Sequence, residues 1–81
     1  MKLTDEEIFD FIKCAEELNE LSAVLIQQVT KPKKNLRKKV LLELSDALVT
    51  MWPIIEIFEE EEIKKAVDAK VIKNKNKKGE K

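Results

Sequence analysis

The chain of 81 residues contains no histidine and no tyrosine, and it has one cysteine, one glycine and two prolines. The single Cys14 excludes an internal disulfide, and the lack of histidine argues against zinc and against the Glu-x-x-His motifs of di-iron bundles. The only glycine, Gly79, excludes a glycine-rich phosphate loop. The sequence also lacks the long apolar runs of a signal peptide and of a membrane helix, so we expect a cytoplasmic protein with no membrane partner.

Acidic and basic residues number sixteen each, but they occur in separate blocks along the chain. Residues 1–30 and 43–68 are mainly acidic, whereas residues 31–42 and 69–81 are mainly basic. Such alternation is typical of solvated helix surfaces and also of an acidic metal centre with basic rims, and charge alone favours the first. The basic cluster at 31–39 has no interleaved aromatic residues, so we do not expect nucleic acid as a partner.

The first helix is predicted from its end signals and from its apolar period. Thr4 and Glu7 have the spacing of a capping box, which favours a helix start at residue 5. Apolar residues then recur at spacings of three and four until Pro32, which disfavours helical geometry in the residue before it. We therefore predict a helix over residues 5–30.

Two further helices follow. The helical period resumes near Leu36 and continues past Pro53, and the acidic residues 59–62 mark the first turn of a third helix. The last residues have no apolar side chain that could dock. We expect residues 1–74 to form one helical domain and residues 75–81 to form a disordered basic tail.

The predicted helices are too apolar for a single hairpin to cover. Helix 2 is apolar nearly all round, and a core of this size supplies only about 3 to 5 kcal/mol. We expect an all-α fold in which an antiparallel hairpin plus a third helix assembles into a four-helix-bundle core as a homo-oligomer, a dimer or a tetramer. The predicted core stripes are Ile8, Ile12, Ala15, Leu18, Ser22, Leu25 and Val29 in helix 1, and Leu36, Val40, Leu44, Ala47, Met51, Ile55 and Phe58 in helix 2.

Two pairs of carboxylates are the candidate functional residues. Glu17 and Glu20 in helix 1, and Glu43 and Asp46 in helix 2, are each spaced i, i+3 and so lie on one side of their helix. Facing pairs repel strongly unless a cation lies between them, and oxygen ligands favour Mg²⁺, Mn²⁺ or Ca²⁺. The helix 1 acids alone are also typical of a solvated face. Acids within the apolar helix 2 favour function, because an unpaired carboxylate there is costly.

The spacing of these acids matches a known family. Glu16-Glu17-x-x-Glu20, followed after 22 residues by Glu43-x-x-Asp46, resembles the E-E-x-x-E…E-x-x-D signature of the MazG-like all-alpha NTP pyrophosphohydrolases. The resemblance covers about residues 8–74, and the stretches 13–21 and 41–51 are most similar to short phage-encoded or prophage-encoded members. It implies a helical bundle that forms a dimer or a tetramer.

The resemblance also implies a reaction and a ligand set. Glu17, Glu20, Glu43 and Asp46 would hold Mg²⁺, with Mn²⁺ as the alternative ion. The enzyme would hydrolyse a nucleoside or deoxynucleoside triphosphate to the monophosphate and pyrophosphate. A spare carboxylate such as Glu16 or Glu20 would orient or deprotonate the attacking water.

Contacts to the substrate are implied at the end of the third helix. Lys70 and Asn74 match the spacing of a Lys and an Asn that bind substrate in the family, while lysines replace the Arg that follows them there. Phe9, Phe11 and Trp52 lie beside apolar stripes, which favours core packing over stacking on a base. The alternative function is a non-catalytic helical module of the same fold that binds nucleotide or metal, or interacts with proteins.

Overall fold

The computed structural model describes the backbone of residues 1–79 and the side chains of residues 1–76. It confirms the all-α prediction, because this part of the chain contains three helices and no strand. The third helix continues past residue 74, and residues 80 and 81 of the predicted tail lie outside the described residues. The helices are α1 at Asp5–Thr30, α2 at Arg37–Ile55 and α3 at Glu60–Gly79.

Helix α1 begins and ends where its local signals predict. The Thr4 backbone N–H donates to Glu7 Oε1 at 2.8 Å, and the Glu7 backbone N–H donates to Thr4 Oγ1 at 3.1 Å, which completes the capping box. At the other end, the Lys31 N–H donates to the Gln27 carbonyl at 2.8 Å, just before Pro32. Both predicted limits of α1 are therefore confirmed.

The connection between α1 and α2 is held by one side chain of α1. Gln28 donates from Nε2 to the Lys34 carbonyl at 2.7 Å, and its Oε1 accepts from the Leu36 N–H at 2.9 Å. These bonds satisfy backbone groups of the connection and hold the start of α2 against the end of α1. The two helices form the predicted antiparallel hairpin, and they are the helix pair that packs together.

The face of α1 that packs against α2 is not the predicted apolar stripe. The buried residues at the contact are Cys14, Glu17 and Val24 from α1 and Ala47 from α2. The most deeply buried of these, Val24 and Ala47, have small side chains, and the large apolar residues of the predicted α1 stripe remain outside. We call the exposed set the outer stripe; its members, 42% to 79% exposed, are Ile8, Ile12, Leu18, Leu25 and Val29.

The prediction for α2 is confirmed in part. Leu36, Val40 and Met51 are half-buried and Ala47 is buried, whereas Leu44, Ile55 and Phe58 are exposed. The prediction that the three aromatic residues pack in the core is wrong for two of them in the single chain. Phe9 and Trp52 are 67% and 64% exposed, because α1 and α2 turn other faces toward each other, and Phe11 is half-buried.

Helix α3 projects from the hairpin, so the molecule is extended rather than compact. Among its described side chains only Ile63 is even half-buried. The radius of gyration is 16.1 Å, whereas a compact domain of this length has about 12 Å. None of the helices, over the residues that the structure describes, combines the length and the apolar composition that a membrane span needs.

Candidate metal centre

Three of the four predicted metal ligands lie together in the middle of the hairpin. Glu17 comes from α1, and Glu43 and Asp46 come from successive turns of α2. One carboxylate oxygen of each lies within 4.8 Å of the others. The i, i+3 spacing puts both α2 acids on one side of the helix, and the antiparallel packing brings Glu17 opposite them. We call these three residues the carboxylate cluster.

Two oxygen atoms of the cluster are buried and have no partner. Glu17 is only 8% exposed, and its Oε1 lies 3.3 Å from the Lys13 ammonium, but its Oε2 has no hydrogen-bond partner. Glu43 Oε2 is buried and unpartnered in the same way. Leaving such an acceptor unsatisfied costs about 1 to 3 kcal/mol, more for a charged group. An all-oxygen set with unused acceptors fits a hard divalent cation such as Mg²⁺ or Mn²⁺.

The fourth predicted ligand, Glu20, lies at the exposed edge of the cluster. Repulsion from the Glu17 carboxylate, followed by that from Glu43, raises the pKa of Glu20 above its ordinary value, and Lys13 opposes the shift. The pKa of Lys13 is raised as well, by its hydrogen bond to Glu17 and by the negative charge of Glu17. Glu20 therefore responds to the cluster electrostatically while it remains accessible to solvent and ligands.

The other predicted site residues are not brought to the cluster in a single chain. Glu16 is exposed and lies outside the group of converging acids. Lys70 and Asn74 are exposed on α3, which projects from the hairpin. Neither lines the cavity beside the carboxylates.

Two residues near the cluster were not predicted from the sequence. Lys39 and Gln27 line a cavity of about 250 Å³ together with Glu20 and Glu43. Lys39 precedes Glu43 by four residues, just as Lys13 precedes Glu17. This Lys-x-x-x-Glu spacing, repeated once in each helix of the hairpin, is the sequence signal that could have distinguished Lys39 from the other bases of the connection.

Comparisons of the chain with protein-family models, with curated proteins and with solved structures find no match.

Proposed function

We propose that the protein is a Mg²⁺-dependent nucleoside triphosphate pyrophosphohydrolase that cleaves an NTP or dNTP of the cytoplasmic pool to the monophosphate and pyrophosphate. The observation that carries the proposal is the carboxylate cluster with its two buried, unpartnered oxygen atoms. Its members, Glu17, Glu43 and Asp46, occupy positions of the acidic signature of the MazG-like family. Because these acids converge from two helices, binding of a common ligand explains their arrangement better than a solvated helix face does.

Each acid has a role in the proposed reaction. Glu17, Glu43 and Asp46 hold the ion, and Glu20 completes the set from the exposed edge. Mg²⁺, when bound, supplies positive charge that neutralises phosphate oxygens and favours ionisation of water. Glu20 is the proposed proton acceptor, because it lies next to Glu43 and remains exposed at the edge of the cluster. Glu16, the other candidate proton acceptor, does not lie beside the carboxylate cluster in the single chain.

We further propose that the working form is a homo-oligomer with a four-helix-bundle core. The chain exposes 7332 Å², whereas a compact protein of 9.4 kDa exposes about 5,000 Å². An interface that buries the excess of roughly 2,300 Å² on each chain covers about 4,600 Å² in total, which is within the range of permanent homodimers. The outer stripe of α1 supplies the apolar surface for such an interface. Lys70 and Asn74 would then reach the carboxylate cluster from a neighbouring copy.

The rival function is a helical module that binds metal or nucleotide without turnover. It is favoured by the position of α3, which leaves Lys70 and Asn74 away from the carboxylates of their own chain. A rate enhancement needs groups that hold the substrate in position as well as a metal ion. The two functions share the cluster and differ in whether phosphate is cleaved.

Release of pyrophosphate from a panel of NTPs and dNTPs with Mg²⁺ tests the proposal. Replacing Glu43 by Ala removes a ligand from the centre of the cluster, so the Glu43→Ala variant should lose at least about 99% of the activity, as losses of this size are common for groups that stabilise transition-state charge. Glu56→Ala is the matched control, because Glu56 is an exposed acid at the end of α2, outside the cluster. Equal activity of Glu43→Ala and wild type would exclude this centre as the catalyst, and binding of nucleotide without release would favour the rival function.

A further inference from the structure

A cavity of about 250 Å³ extends from the carboxylate cluster toward the connection between α1 and α2. The antiparallel hairpin sets this direction, because residues 20–27 of α1 and residues 43–39 of α2 both run toward the connection. Glu20 and Glu43 line one end of the cavity, and Gln27 and Lys39 line the other. The lining residues are Glu20, Ala23, Val24 and Gln27 from α1 and Lys39 and Glu43 from α2.

Lys39 differs from the equivalent lysine of α1 in having no carboxylate partner. Lys13 and Glu17 form the only salt bridge among the side chains that the structure describes. Lys39 has the same spacing to Glu43, but its ammonium lies beyond salt-bridge distance of any described carboxylate. Four residues of helix separate Lys39 from Glu43 by about 6 Å along the axis. The lysine is therefore free to bind an anion close to the carboxylate cluster.

The start of α2 adds positive potential to this end of the cavity. Its first turn contains three basic residues and no acid, and Leu36 at the N-cap position provides no side-chain hydrogen bond. Positive side chains at the positive end of a helix dipole are unfavourable by themselves, and an anion relieves this. An independent sign of a ligand is Glu43, which lines the acidic end of the cavity and whose buried Oε2 has no hydrogen-bond partner. The buried Oε2 of Glu17, in the adjacent carboxylate cluster, is unpartnered in the same way.

We propose that Lys39, with Gln27 beside it, binds the pyrophosphate portion of the nucleotide. This inference rests on the proposed function and specifies how that site holds its substrate. The acidic end of the cavity takes the phosphate that contacts the metal ion, and the Lys39 end takes the phosphates beyond it. A ligand with two or three linked phosphates reaches Lys39 from the cluster, and a ligand with a single phosphate does not. Lys39 thereby selects triphosphates over monophosphates.

Calorimetric titration with Mg²⁺ present tests the role of Lys39 with three probes: inorganic pyrophosphate, a non-hydrolysable dNTP analogue and the corresponding dNMP. In the Lys39→Ala variant, the affinity for pyrophosphate and for the analogue should fall by roughly tenfold or more, the effect of losing one charge-assisted hydrogen bond to phosphate. The affinity for dNMP, and for Mg²⁺ titrated alone, should be unchanged. Lys39→Arg should retain most of the pyrophosphate affinity.

Lys38→Ala is the matched control, because Lys38 carries the same charge on the same turn but does not line the cavity. If Lys38→Ala and Lys39→Ala lose the same pyrophosphate affinity, the positive charge at the start of α2 attracts the anion without a specific contact, and the inference is overturned. Unchanged pyrophosphate affinity in Lys39→Ala, with a wild type that still releases pyrophosphate, would overturn it and leave the proposed function intact.

The enzymatic proposal can also fail while the binding role of Lys39 stands. A wild type that binds pyrophosphate through Lys39 but hydrolyses no triphosphate would support the binding role and refute the enzymatic one. A wild type that neither binds any of the phosphate probes nor hydrolyses a triphosphate would overturn both.

Discussion

Neutralising Glu17 should stabilise the protein when no divalent ion is present. Carboxylate oxygens of Glu17 and Glu43 lie within 4.8 Å of each other, and at an effective dielectric of 20 this separation corresponds to a repulsion of about 3.5 kcal/mol. Loss of the ion pair with Lys13 offsets up to about 1 kcal/mol of the gain. The Glu17→Gln variant keeps the volume of the side chain, so its free energy of unfolding should rise by about 2.5 kcal/mol, which raises Tm by roughly 10 to 20 °C.

Addition of Mg²⁺ should reverse this difference. Free Mg²⁺ at ten times its Kd stabilises a protein by about 1.4 kcal/mol, and at a hundred times by about 2.7 kcal/mol. The wild type should gain this increment, and Glu17→Gln should gain little, because it lacks one anionic ligand. Thermal unfolding followed by circular dichroism, at one fixed protein concentration, measures Tm for both proteins in EDTA and along a Mg²⁺ titration.

Glu16→Gln is the control for this experiment. Glu16 is the adjacent residue, it is exposed, and it lies outside the carboxylate cluster. Its replacement should change neither the Tm in EDTA nor the Mg²⁺ increment by much. A Glu17→Gln protein that is less stable than wild type in EDTA, and that gains the same increment from Mg²⁺, would refute the electrostatic account of the cluster.

Two other predictions concern pH and assembly. The pKa of Glu20 is raised, so the folded protein binds the Glu20 proton more tightly than the unfolded chain does. The contribution of Glu20 to stability is therefore fully present below its unfolded pKa and is lost as the pH rises through its folded pKa. In EDTA, the Tm of the wild type should fall as the pH rises from the unfolded to the folded pKa of Glu20, and the Tm of Glu20→Gln should fall less; parallel curves would contradict this. Leu25→Glu places a charge in the outer stripe and should give a monomer in sedimentation velocity, whereas the exposed polar control Asn19→Glu should remain oligomeric. A wild type that is monomeric at all concentrations would rule out the proposed assembly.

The sequence predicts those parts of the structure that depend on local signals. The capping box at Thr4 and the break before Pro32 act within a few residues, so both ends of α1 could be located from them. The convergence of Glu17 with Glu43 and Asp46 also follows from short-range geometry, since i, i+3 spacing and antiparallel pairing leave few arrangements.

The face of α1 that meets α2 could not be predicted in the same way. Hydropathy ranks the outer stripe above the face that contains Cys14, Glu17 and Val24, because it counts apolar area and gives no credit to a small or acidic residue at a close helix contact. The structure leaves the more apolar face outside, where a second copy can cover it. Lys39 was missed for a related reason: a lysine in a basic run is usually solvated, and only its position beside Glu43 in the hairpin distinguishes it.

The most direct test of the account is a crystal structure of the protein soaked with Mn²⁺, with anomalous diffraction data collected to locate the ion. We expect an anomalous peak between the carboxylates of Glu17, Glu43 and Asp46, with oxygen ligands from all three residues, and the loss of that peak in Glu43→Ala. Carboxylates that converge without any anomalous density between them, or density only at unrelated surface acids, would contradict the claim that these side chains form a metal centre.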